Sequence, residues 1–243
     1  MSEQRTNQRP QTALDDLTLF APCPSAEGSN GGKKPWSRLH FGWFKNKFQF
    51  SVATGDPADK GNDNGWIRFE FSTRQFDDFM LKWEQLNNTT DPTDKLIVNV
   101  EARQWNNQEK KSTMMPAGSV VIGKKDGIYY LAGISWKKDR PKVQFVLGED
   151  RFHHYVKANG EPFGNDEMSR MVSIALQRRI QSIVDHLIKT AWVPEERKDA
   201  GNRNGNNGNG GQNGGSYDNG NSRQQTDGGR AGGYEEELND IPF

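Results

Sequence analysis

Gly65-Trp66-Ile67-Arg68-Phe69-Glu70-Phe71-Ser72-Thr73-Arg74-Gln75-Phe76 is the stretch whose reading sets the architecture. From Trp66 to Phe71 apolar and polar residues alternate, the period-two pattern of a half-buried strand, which predicts a strand over Gly65–Phe71. Ser72 followed three residues later by Gln75 reads as a capping box. Phe76, Phe79, Met80 and Trp83 then share one helical face, predicting a helix from Phe76 to Leu86.

Upstream, Leu17–Phe20 is a short apolar run, and Arg38–Phe44 and Lys47–Ala53 are two alternating runs joined at Lys45-Asn46 as a hairpin. Downstream the pattern returns. Strands are predicted at Leu96–Ala102, Ser119–Lys124, Gly127–Trp136 and Lys142–Leu147, with Lys125-Asp126-Gly127 as a second hairpin turn. Asp150-Arg151-Phe152 opens a further helical stretch. Ile67 to Phe71 aligns on Val143 to Leu147, and Phe76 and Phe79 then fall on Phe152 and Tyr155 without a gap. Leu39, Phe41 and Gly42 fall on Val120, Ile122 and Gly123. The layout is four strands and a helix, twice, in halves of about 15–88 and 94–160.

A last helix is predicted from Asp166 to Trp192, with Val172, Ala175, Leu176, Ile180, Ile183, Val184, Leu187, Ile188 and Ala191 as its apolar stripe and Arg170, Arg178 and Arg179 elsewhere. It reads first as a core-covering element; a nucleic-acid-reading helix or a seam of a homo-oligomer are the alternatives. The expected class is α+β: two antiparallel β-sheets from a tandem ββββα repeat, closed by a C-terminal helix.

The chain has 243 residues, but 198–233 is nearly all Gly, Asn, Gln, Ser and Asp with scattered Arg. So little apolar surface cannot offset the entropy of ordering. This predicts a loose N-terminus at 1–12, one folded domain at 13–195, a disordered linker at 196–233 and a separate tip at 234–243. The formal net charge is zero, yet 198–243 holds four basic and seven acidic residues, leaving 28 basic and 25 acidic elsewhere, a net of +3. That is mild support for a polyanionic partner. With Cys23 as the single cysteine, neither a disulfide framework nor a cysteine-based zinc site fits one chain. His40, His153, His154 and His186 show no ligand spacing, so no cofactor or metal is expected. No apolar run approaches the roughly 18 residues of a membrane span, and no signal-peptide core is present, which predicts no membrane partner and a cytoplasmic location.

The chain finishes Glu235-Glu236-Glu237-Leu238-Asn239-Asp240-Ile241-Pro242-Phe243. Phe243 joins an aromatic ring to the terminal carboxylate, a pair that a basic-rimmed apolar pocket captures, while Pro242 lowers the cost of docking. A merely solubilising acidic end is the bland alternative, and it has no need of Ile-Pro-Phe. The tip resembles the C-terminal tail of bacterial and phage single-stranded DNA-binding proteins, whose usual ending is acids followed by Asp-Ile-Pro-Phe. That resemblance implies partner binding by Glu235, Glu236, Glu237, Asp240, Ile241, Pro242 and Phe243 toward replication or repair enzymes, and a host-cell cytoplasmic location for a phage-encoded chain. The tandem ββββα layout over residues 15 to 192 resembles the whirly fold, a family of single-stranded DNA-binding proteins; its Lys-Gly-Lys-Ala signature is only echoed by Lys45-Asn46-Lys47-Phe48. The competing fold is the OB-fold barrel, which has about five strands against the eight counted here.

Binding single strands without sequence preference takes cations along the phosphates and exposed aromatics for the bases. Strand alternation predicts that Arg38, Phe44, Lys47, Trp66 and Arg68 face outward from the first sheet. The repeat register predicts Tyr130, Ile134, Trp136 and Lys142 outward on the second, with Arg103 and Trp105 beyond its first strand and Lys137, Lys138 and Arg140 as a basic turn. Trp66 equally suits packing under the loop 56–64, and Tyr130 and Trp136 suit a strand buried on both faces.

Other functions have weaker support. Asp56, Asp59, Asp63 and Glu70 have the composition of a Mg²⁺ site, but acids in a Gly/Asn-rich loop are ordinary turn formers. Asp77-Asp78 and His153-His154 are adjacent pairs that do not share a helical face. No Ser/His/Asp set and no phosphate-cradling glycine pattern appears, so an enzyme is not expected. A strand-annealing recombination protein, an RNA-binding regulator and a non-nucleic-acid interaction module are the remaining alternatives. The sequence-level expectation is a single-stranded DNA-binding protein serving replication, recombination and repair.

Overall fold

The computed structural model describes residues 11–24, 35–61, 63–106, 110–137, 139–149 and 154–194, without the side chains of 103–106. The described chain is α+β, with two four-stranded antiparallel sheets and two α-helices. The first sheet holds β1 (Leu19–Pro22), β2 (Trp36–Phe44), β3 (Lys47–Ala53) and β4 (Trp66–Phe71) side by side in chain order. Lys45 and Asn46, at φ 47° and 59°, form the two-residue left-handed turn that matches strand twist between β2 and β3. Short 3-10 helices at Pro57–Gly61 and Asp63–Gly65 fill the β3–β4 loop.

α1 (Thr73–Asn88) starts at the expected box: Ser72 Oγ accepts from the Gln75 amide at 3.4 Å and Gln75 Oε1 accepts from the Ser72 amide at 2.9 Å. Its apolar face seats on the inner face of the first sheet, with Phe76 on Phe48 at 4.9 Å between ring centroids and Phe79 stacked on Phe71 at 5.2 Å. Leu39, Phe41, Phe50, Val52, Ile67 and Phe69 complete that buried layer.

The second sheet holds β5 (Lys95–Asn106), β6 (Lys111–Lys125), β7 (Ile128–Ser135) and β8 (Val143–Val146), again in chain order. Asp126 and Gly127, at φ 53° and 81°, make the β6–β7 turn. β5 and β6 pair from Lys95↔Gly123 out to Asn106↔Lys111, whereas β7 ends against β6 at Gly118↔Ser135. A two-stranded ribbon therefore runs past the sheet, beginning at a bulge between Val100 and Glu101. The sequence expectation of strands at Leu96–Ala102 and Ser119–Lys124 missed this extension. The two sheets meet through β3 and β4 against β7, where Gly133 leaves room for Val52, Phe50 and Phe69.

α2 (Asn165–Thr190) packs on β7 and α1. The centre of its buried face is polar as well as apolar: Ser169, Ser173 and Gln177 precede Ile180 and Val184. Trp83 Nε1 donates to Ser173 Oγ at 3.0 Å, Ser173 Oγ to Asn87 Oδ1 at 2.8 Å, and Asn87 Nδ2 to Gln177 Oε1 at 2.8 Å. Gln177 Nε2 donates to the Met80 carbonyl at 2.9 Å. Burial here is affordable because each group finds a partner. Val172, Leu176, Ile183, Leu187 and Ile188 of the expected stripe pack half-buried beside this seam, and Ala175 and Ala191 are exposed.

Two expectations need correction. The helical stretch opening at Asp150 is not found: 150–153 lie outside the described residues, and 154–164 hold no helix but a Val156↔Pro162 bridge around a turn with Gly160 at φ 83°. Tyr155 therefore does not take the helical place that alignment with Phe79 implied. The OB-fold alternative also fails, since two separate four-stranded sheets replace a single closed barrel. Among the described residues no helix is long and apolar enough to cross a membrane.

Candidate nucleic-acid interface

The face of the first sheet turned away from α1 takes alternate residues from every strand. Register sets Phe20, Arg38, Ala53 and Trp66 opposite one another in one row across β1 to β4, and His40, Ser51 and Arg68 in the next. Trp36, two residues before Arg38, shares this face and pairs with Pro22. Phe20 and Trp36 are 60% and 61% exposed, unusually open for rings of this size. With Arg38 they line a shallow depression of about 490 Å³. Trp66 is half-buried; His40 lies tilted against it at 5.4 Å between centroids, and the Arg68 guanidinium sits 5.4 Å from its ring. Thr18 Oγ1 lies 3.0 Å from His40 Nδ1 and steadies that ring.

Both tryptophans stand on one buried polar network. Ser37 Oγ donates to the Thr54 carbonyl, and Thr54 Oγ1 donates to Asp59 Oδ2 at 2.8 Å. Arg140 grips the Asp59 carboxylate with two nitrogens, Nε to Oδ1 at 2.9 Å and Nη2 to Oδ2 at 2.8 Å. Arg140 Nη2 also donates to the Trp66 carbonyl at 3.0 Å. Gly55, at φ 73°, lets the loop press on the Trp36 backbone: an added Cβ would sit 2.4 Å from the Trp36 carbonyl oxygen.

At the far end of the same face, Phe44 is 41% exposed with Lys45 Nζ 5.3 Å from its ring centroid. Lys47 Nζ pairs with Glu70 at 2.9 Å, and Gln49 donates to the same carboxylate at 3.2 Å. A phosphate at Lys47 competes with Glu70, so the open cationic part of the face is the Arg38–Arg68 part.

The second sheet matches the expectation less well. Trp136 is 44% exposed and Lys142 is half-buried, as an outward position allows. Tyr130 is not on an open face: it is buried, with its ring laid over Gly123 of the neighbouring strand, where a Cβ would come within 2.5 Å of the ring. Burial pushes its hydroxyl pKa up. Ile134 is buried too. Arg140 is not part of an exposed basic turn but the buried partner of Asp59. Arg103 and Trp105 fall on the β5–β6 ribbon with their side chains outside the described residues, as are Lys138 and the tip residues Glu235 to Phe243.

Asp59, one of the acids considered for a metal, is thus a structural anchor, and Asp56 caps its own turn by accepting from the Ala58 amide at 2.8 Å. Among the described residues no group of three or more His, Cys, Asp or Glu has metal-site geometry. The sequence reading missed Phe20 and Trp36. The available signal was Trp36 two places before Arg38, on the same face by strand period.

No family model matches this chain, and neither curated proteins nor solved structures give a match.

Proposed function

We propose that this chain is a non-catalytic, sequence-independent single-stranded DNA-binding protein that coats exposed strands during replication, recombination and repair. The carrying observation is the outer face of the first sheet, where Phe20, Trp36 and Trp66 interleave with Arg38 and Arg68. Rings of this kind stack on any base, and guanidinium groups follow the phosphates without reading sequence. The element order, four strands and α1 followed by four strands and the C-terminal α2, supports a whirly-like architecture as part of the same reading. The acidic tip ending Asp240-Ile241-Pro242-Phe243 serves as a docking peptide for replication or repair enzymes on a Gly/Asn-rich tether.

The test is tryptophan fluorescence during titration with oligo-dT, repeated with duplex DNA and at rising salt. Quenching by the single strand alone, weakened by salt, is the expected result; no response to either nucleic acid, with a negative gel shift, removes the reading. Deleting Glu235 to Phe243 is expected to leave oligo-dT affinity intact or raised while capture of partner enzymes is lost.

A further inference from the structure

We infer that Phe20 and Trp36 form a slot for one unpaired nucleobase, with Arg38 placed for the adjoining phosphate. The inference rests on the reading of this face as a single-stranded DNA surface, and names a subsite within it. Phe20 stands directly opposite Arg38, and Trp36 lies two residues away along β2 on the same face. The two rings are therefore diagonal neighbours on an antiparallel pair, roughly 7–8 Å apart at their bases. A flat ring held between two others needs roughly 7 Å, twice the van der Waals contact distance between carbons.

The slot is open in the sense that matters for stacking. Neither Phe20 nor Trp36 has an aromatic or cationic partner among the described residues, whereas Trp66 has both His40 and Arg68 against its ring. The Arg38 side chain makes no ion pair or hydrogen bond among the described residues, which suits its guanidinium to a phosphate. Glu70, a carboxylate on this face, is held by Lys47 and Gln49 at the other end, away from the slot. This balance favours a nucleotide over an acidic or purely apolar occupant. One wall is also rigid: Gly55 packs on the Trp36 backbone and Ser37 is bonded to Thr54 beneath it, so little ordering remains to be done on binding.

The test uses the full chain and fluorescence anisotropy with two labelled probes of equal length, oligo-dT and an oligomer of abasic residues. Trp36→Ala and Phe20→Ala are each expected to weaken oligo-dT by about tenfold while changing abasic binding by less than about twofold, and Trp36→Phe is expected to restore most of the loss. Both side chains are mostly exposed, and unchanged melting temperature checks that the fold is intact. Equal weakening of both probes, or of neither, overturns the slot. A Trp66→Ala/Arg68→Ala variant separates the two levels. If it loses oligo-dT affinity while Trp36→Ala and Phe20→Ala do not, the face stands and the slot falls; if the unaltered protein binds neither probe, both fall together.

Discussion

Arg140 and Asp59 lie 81 residues apart in sequence and meet as a two-pronged ion pair with both side chains only 3% exposed. Such a pair is costly to bury and costlier to break, because removing one partner strands a charge in the interior. Asp59→Ala is therefore expected to lower stability by about 3–5 kcal/mol in urea denaturation. The double replacement Asp59→Leu/Arg140→Met, which leaves no charge behind, is expected to recover most of it. Equal losses in the single and double variants would mean that the network's worth lies in its hydrogen bonds to Thr54 and Trp66.

Gly55 offers a steric test of the same corner. Its left-handed backbone and its contact with the Trp36 carbonyl both exclude a Cβ. Gly55→Ala is expected to destabilise by more than about 1 kcal/mol and to change Trp36 fluorescence, measured against a Trp36→Phe background. Gly61, with nothing within 4 Å of a built Cβ, is the control, and Gly61→Ala is expected to be near neutral.

Arg38→Ala and Arg68→Ala address electrostatics. Each is expected to weaken oligo-dT and reduce the slope of log K against log[salt] by about 0.7, the share of one phosphate on a single strand. Lys47→Ala is expected to change the slope less, since Glu70 already neutralises that lysine. The readout is anisotropy across a series of salt concentrations.

The helix–helix seam makes a packing prediction. Ser173→Ala removes the acceptor of Trp83 Nε1 and the donor to Asn87 Oδ1 in a site without solvent. The expected cost is about 1–3 kcal/mol, the penalty for buried groups left unpaired. Thermal melts of Ser173→Ala and the shape-matched Ser173→Cys distinguish lost bonding from lost volume.

Glu167 supplies a pH dependence. The Gly164 amide, at 3.0 Å, and Lys157 hold its carboxyl below the ordinary glutamate value. A depressed folded-state pKa contributes stability above the unfolded value of 4.5 and loses it as pH falls through the folded value. The melting-temperature gap between the unaltered chain and Glu167→Gln is thus expected to be present at neutral pH and to close below about pH 4.5.

Where hydrophobic period alone decides, sequence and structure agree. Lys47–Ala53 is a strand at the expected bounds, and the Ser72–Gln75 box starts its helix. The misses have physical causes. β2 begins at Trp36 rather than Arg38 because Ser37, a polar residue at a core-facing position, breaks the alternation; it is tolerated there by its bond to the Thr54 carbonyl. Ser169, Ser173 and Gln177 break the α2 stripe for the same reason, their partners lying on other elements far along the chain. The repeat register puts Tyr130 outward but does not show that its ring lies buried over Gly123. Arg140 read as solvent-exposed because its counter-charge is distant in sequence.

Strand order in both sheets follows chain order, so every pairing within a sheet closes a hairpin between consecutive strands. Closures of this kind are early and cheap in loop entropy. Contacts at longer separations, among them Asp59 with Arg140 and Trp83 with Ser173, join the two halves, and on this reasoning they form when the halves dock. Folding is therefore expected to be limited by the hairpins, with docking after the limiting step: mutations in the hairpins should change the refolding rate, while Asp59→Leu/Arg140→Met and Ser173→Ala should act mainly on unfolding.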